Sequence, residues 1–182
     1  MTKLVTFSFN TSIANNVYVG MIVGKLSGTL ENVYAIGTLT STSLKASYVG
    51  GLVGFNNGTV INSYSDVNIV ATSKGSNCFA AGLIGYNNKN VSGCFAHGNV
   101  SAKGYLESYS FASELIAAEG ETSKVTSCFR YNGQIITKYS SISTSFTNIG
   151  TESTLDNIIS YCKTNWDNTI WSFEKTLPVF KR

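Results

Sequence analysis

A block of about thirty residues recurs along this chain, and that period constrains the fold more than any other feature. VGMIVGKLSGTLENVYAIGTLT, from Val19, aligns with VGGLVGFNNGTVINSYSDVNIV, from Val49, and a third copy, AAGLIGYNNKNVSGCFAHGNVS, begins at Ala80. The second offset is one residue longer than the first, an increment that a surface turn absorbs. The repeat glycines are Gly20, Gly24, Gly51, Gly54, Gly82 and Gly85, of which Gly24, Gly54 and Gly85 fall in matched positions. Leu30, Val60 and Val91 coincide, as do Tyr34, Tyr64 and Phe95. A weaker fourth copy runs through SELIAAEGETSKVTSCFRYNG. There Val125 matches Val91, Cys128 and Phe129 match Cys94 and Phe95, and Ala117 stands where Gly85 stood.

Within a copy the apolar residues form short groups such as LVGF and TVINSY, bounded by Gly, Asn or Ser. This is strand punctuation; helical repeats of similar length need long runs of Ala, Leu, Glu and Lys. If each copy is one coil, neighbouring coils pair in parallel about 4.8 Å apart and matched residues stack into columns. The expected fold is therefore all-β, a parallel β-solenoid of four to five coils with irregular terminal caps. Residues 1–16 read as an N-terminal cap strand. Residues 17–137 read as coils at 17–47, 48–77, 78–108 and 109–137, and residues 138–182 as a C-terminal capping segment. Leu30, Val60, Val91 and Val125 form an inward aliphatic column, with Tyr34, Tyr64, Phe95 and Phe129 following at alternate positions. Strict alternation would turn Cys94 and Cys128 the other way, unless a bend at Asn62 or Gly93 resets the facing. Adjacent coils would also bring these two thiols within disulfide range, although buried free thiols are the plainer reading.

Hydrophobic residues make up 43% of the 182, enough for a real core, while charged residues make up only 13%, so neutral polar groups do the solvating. The net charge of +3 is scattered, with no basic run of the kind that nucleic acid or a membrane surface recruits. Nucleic-acid binding and membrane insertion are not expected, and no apolar run reaches the length of a membrane span. MTKLVTFSFNTS is too polar to read as a signal peptide. Export then requires a leader outside this chain or another route, and the alternative is retention inside the cell.

GGLVGFNNGTVINSYSDVNIV resembles the GLUG repeat of large bacterial surface proteins, among them filamentous-haemagglutinin-like adhesins and some immunoglobulin A peptidases. The likeness is clear over Val19 to Ser101 and weaker to about Thr137. TNWDNTIWSFEKTLPVFK is similar to the tryptophan-containing segment that closes such arrays. The resemblance implies a right-handed parallel β-helix used as a stalk or adhesive module at the cell surface or in the extracellular space. In the peptidases catalysis belongs to a separate zinc domain, and this chain has no HExxH.

Little in the residues points to chemistry. His97 is the only histidine, and its matches are Asp66 and Ile36, so it reads as a variable surface position. The cysteines form no CxxC pair, and the repeating aspartates of calcium-binding solenoids are missing, so no metal, cofactor or catalytic residue is expected. FNNGT and YNNKN read as tight turns, with carbohydrate contact beside Phe55 and Tyr86 as the sharper alternative. Glu107, Glu114, Glu119 and Glu121 cluster after the third copy and read as a solvated loop, or else as the acidic groove of a polysaccharide-cleaving β-helix. Sequons begin at Asn10, Asn57, Asn90 and Asn99. The resulting expectation is a non-enzymatic structural or adhesive module whose partners are further copies of itself, stacked end to end, or proteins and glycans at the cell surface. A carbohydrate-binding or carbohydrate-degrading β-helix and a virion or phage fibre segment are the alternatives.

Overall fold

The computed structural model describes residues 5–11, 15–144 and 146–181. Each repeat forms one coil with strands on four faces, and about four coils stack in parallel as a β-solenoid. The first coil is built from Val17–Gly20, Val23–Leu26, Thr29–Glu31 and Tyr34–Ser43. The second repeats it with Ser47–Gly50, Val53–Asn56, Thr59–Ile61 and Tyr64–Ser73. Later coils open at Cys78 and Ser110, and their fourth-face strand is split in two.

The columns pair in register. Leu30, Val60, Val91 and Val125 are successive partners on the third face. Tyr34, Tyr64, Phe95 and Phe129 are successive partners on the fourth. A column not singled out from the sequence, Leu39, Ile69, Val100 and Ile136, fills the interior side of that same face. Leu52, Leu83 and Leu115 plug the corner between the first two faces, where all three are fully buried. The glycine column lets those faces touch. A Cβ on Gly54 would lie 2.4 Å from the Val19 amide nitrogen, and one on Gly85 2.6 Å from that of Val49.

The aromatic column does not follow the aliphatic one inward. Between them each coil places one residue in the left-handed region: Asn32 at φ 52°, Asn62 at 47°, Gly93 at 63° and Ser127 at 51°. That kink shifts the alternation by one residue. Cys94 and Cys128 therefore point into the solenoid with the aliphatic core, while Tyr64 and Phe95 point out of it. Both are nonetheless fully buried, because a second core forms on the outside.

The C-terminal segment supplies that second core. A helix at Leu155–Asn165, capped by Thr154, brings Ile158 and Cys162 against the column. Beyond it the chain runs back along the side of the stack. The Trp166 indole donates to the Gly93 carbonyl at 3.0 Å on the third coil, and the Tyr64 hydroxyl of the second coil donates to the Pro178 carbonyl at 2.6 Å. The Trp171 indole reaches Asn32 Oδ1 at 3.1 Å on the first. Both tryptophans thus anchor on left-handed corner residues, and the tail is a lateral strap as long as the solenoid.

The two ends differ. Val5–Asn10 pairs in parallel with residues 37–42 of the first coil, and Thr151–Ser153 with Phe129–Tyr131 of the fourth. The chain crosses the last coil just before that strand. The Phe146 amide donates to the Ala112 carbonyl at 2.7 Å, the Phe146 ring meets Phe111, and the Thr147 amide donates to Ser113 Oγ at 3.1 Å. Arg130, which is nearly buried, ties this crossing down through the Gly150 carbonyl at 3.2 Å, Glu114 at 3.4 Å and Glu152 at 3.5 Å.

Candidate functional site

Two further aromatic ladders stand on the outer sides of the first and second faces. Alternation on the first face sends Tyr18, Tyr48, Phe79 and Phe111 outward, and they stack at 5.3, 5.0 and 4.5 Å between ring centroids. On the second face Phe55 and Tyr86 stack at 5.1 Å and within 2° of parallel. The ladders meet edge to face, Tyr18 on Phe55 and Tyr48 on Tyr86. Lys25 Nζ continues the second ladder below, 5.3 Å from the Phe55 ring.

Above Tyr86 the ladder stops, because the next coil places Ala118 at that position. An open concavity of about 650 Å³ adjoins Tyr86 beside this point. Tyr86, Asn57, Asn88, Lys89, Glu119 and Glu121 line it. Gly120 lies directly against Asn88 at the rim, since a Cβ there would collide with the Asn88 side chain and come within 3.1 Å of the Tyr86 hydroxyl.

The paired asparagines explain how these side chains are held. The first of each pair is buried: Asn56 Nδ2 donates to Asn87 Oδ1 at 2.7 Å, and Asn87 Nδ2 donates to Ser123 Oγ at 2.6 Å. Asn56 Oδ1 also accepts from the Gly58 amide at 3.0 Å, closing the turn. The second member faces the concavity. Asn88 Nδ2 donates to Asn57 Oδ1 at 3.0 Å, Thr122 Oγ1 lies 3.3 Å from Asn88 Oδ1, and the Ser123 hydroxyl donates to Glu119. The turn reading of FNNGT and YNNKN therefore describes Asn56 and Asn87, and the surface reading describes Asn57 and Asn88.

Of the four clustered glutamates only Glu119 and Glu121 reach this concavity. Glu114 pairs with Arg130 in the end crossing, and Glu107 begins a single 3-10 turn. His97 lies on the fourth face, with Nδ1 2.9 Å from Asp66 Oδ1 and its ring stacked on Tyr131. Among the described residues no three His, Cys, Asp or Glu side chains gather as a metal site. All four cysteines are buried free thiols, and burial pushes the Cys78 thiol up to about 11 and the Cys162 thiol up to about 12. Those two are protonated at neutral pH, while in the hydrogen-bonded pair burial pushes Cys94 up and the bond to Cys94 draws Cys128 down. The four sequon asparagines are exposed. No described helix is long and apolar enough to cross a membrane.

Residues 45–70 coincide almost entirely with the second coil, and they match the family model described as the GLUG motif. The chain carries a GLUG motif. Its glycine–leucine core is Gly51 to Gly54, which puts Leu52 into the corner plug and Gly54 into the close-contact column. The GLUG segment also supplies Phe55 and Asn57, the base of the second ladder and one rim of the concavity. No curated protein matches the sequence. Among solved structures the chain is similar to a candidate immunoglobulin A1 protease from Bacteroides ovatus, with a TM-score of 0.72 and 14% identity. The match covers 96% of this chain and 55% of that protein, so the chain spans about half the length of its structural neighbour. At that identity the likeness is one of fold.

Proposed function

We propose that the chain is a non-enzymatic structural module of a protein displayed at or beyond the cell surface. The observation that carries this reading is the pair of continuous cores, one inside the coils and one under the strap, which make a stack of fixed spacing out of a GLUG repeat. Its likeness to part of a candidate protease supports a scaffold role beside a catalytic part lying elsewhere. Surface glycans and proteins are its partners.

A second copy is a partner of a particular kind. Among the described residues no strand pairs with the outer edges of Val17–Gly20, Val23–Leu26 and Thr29–Glu31, nor with those of Ser110–Ser113, Ile116–Glu119 and Lys124–Thr126, but at the second end Phe146 and Thr147 cross over and bond to Ala112 and Ser113. Self-association through one end alone gives a closed pair rather than a fibre.

Fractionation of the source cells, followed by detection with an antibody, tests the location: the surface or secreted fraction is expected, and confinement to the cytosol overturns it. Incubation of the purified chain with immunoglobulin A1 and with a polysaccharide panel is expected to leave both intact. Cleavage of either overturns the non-enzymatic reading.

A further inference from the structure

We infer that the concavity beside Tyr86 is a binding site for a neutral pyranose, at the end or on a branch of a glycan. The Tyr86 ring stacks on Phe55 with one face, and its opposite face looks toward Ala118, where the ladder has no ring. A flat, partly exposed aromatic face suits the patch of axial C–H groups on a pyranose, which is apolar and slightly positive against the negative ring face. A sugar ring would take the place of the missing rung.

The rim has the matching polar chemistry. Asn57 and Asn88 each offer amide donors and a carbonyl acceptor, and Glu119 and Glu121 offer carboxylate acceptors, the combination that vicinal hydroxyls satisfy. These groups are preset. Asn88 is held by Asn57 and faces Thr122, and Glu119 accepts from Ser123, so little side-chain freedom is lost on binding. Two carboxylates against one lysine, Lys89, leave the rim net negative, which disfavours sialic and uronic acids. The volume of about 650 Å³ holds one or two sugar rings, in the ordinary range for small-ligand sites.

The proposal rests on the surface-module reading only for its biological setting, since binding is a property of the purified chain wherever the cell keeps it. Titration of the full chain with the methyl glycosides of glucose, galactose, mannose and N-acetylglucosamine, followed by tyrosine fluorescence and amide NMR shifts, tests it directly. Saturable binding of at least one glycoside is expected, with shifts centred on residues 86–89 and 119–122. Tyr86→Ala should weaken it by about tenfold or more. Ala118→Phe should abolish it by completing the ladder while keeping cooperative unfolding, so the test survives if Tyr86→Ala does not fold. Phe79→Leu, on the other ladder, should bind as the unsubstituted chain does. Failure of all four glycosides to bind overturns the proposal. So does unchanged binding by Ala118→Phe, or binding on a glycan array confined to sialylated and uronic-acid glycans.

Discussion

The fourth-face ladder and the first-face ladder are built by the same device and end in opposite situations. Tyr34, Tyr64, Phe95 and Phe129 stack in register and face out of the coil, as do Tyr18, Tyr48, Phe79 and Phe111. Yet Tyr64 and Phe95 are fully buried, whereas the rings of the first-face ladder stay partly exposed. The difference comes from the C-terminal strap and from nothing within the repeats. A repeat of this kind supplies columns; whether a column becomes core or surface is decided by chain outside the repeat.

Removal of the strap is the strongest way to break the contrast. Termination after Asn165 strips Trp166 and Trp171 from Tyr64 and Phe95 and uncovers both. Each large aromatic buries about 150–250 Å², so the loss is about 5 kcal/mol or more. That is comparable with the whole stability of a typical domain. The truncated chain should unfold at much lower urea than the full one and associate in light scattering through the uncovered ladder. An unchanged midpoint and a clean monomer would show that the strap contributes no core.

Single substitutions sharpen the same comparison. Tyr64→Ala removes a buried ring stacked on both neighbours, together with the hydroxyl that donates to Pro178, and should cost about 3–5 kcal/mol. Tyr48→Ala removes a ring stacked between Tyr18 and Phe79 but half in water, and should cost about 1 kcal/mol. Urea midpoints measured side by side decide the matter. Equal losses would mean that the stack, and not the strap, stabilises the covered column.

The coil was legible in the sequence because matched residues at a fixed period have few ways to be satisfied except by stacking. Leu30, Val60, Val91 and Val125 could be placed in one column from spacing alone, and the structure pairs them. The facing of the aromatics was not legible in the same way, since it turns on one backbone angle per coil. Asn32, Asn62 and Gly93 hint at a left-handed residue, but Ser127 does not. The helix left a clear local trace in Thr154 as cap and Leu155, Ile158, Ile159 and Cys162 at helical spacing. What it packs against begins with Phe129, a contact across more than thirty residues of chain, and no local pattern encodes that. The glutamates close in sequence dispersed because residues 107–121 pass from the coil's entry turn through its first two faces. The end of the second ladder follows from an absence readable only once register is known, Ala118 in an aromatic column.

The corner that turns the aromatics outward offers the smallest and most local test. Ser127 holds φ 51° at the position where the earlier coils place Asn32, Asn62 and Gly93. An L residue with a Cβ pays steric cost in that region, and serine lacks the full side-chain amide that eases it for asparagine. Ser127→Gly relieves the strain but also loosens the unfolded chain, two effects of opposite sign. Relief should win at a residue already held left-handed, giving a gain of about 0.5–1 kcal/mol read as a raised urea midpoint. Ser127→Ala keeps the Cβ and loses the hydroxyl, so it should give no gain. If the two variants behaved alike, the left-handed angle would not be what holds the fourth-coil corner, and the outward turn of Phe129 would have to be credited to its contact with Tyr161 on the helix.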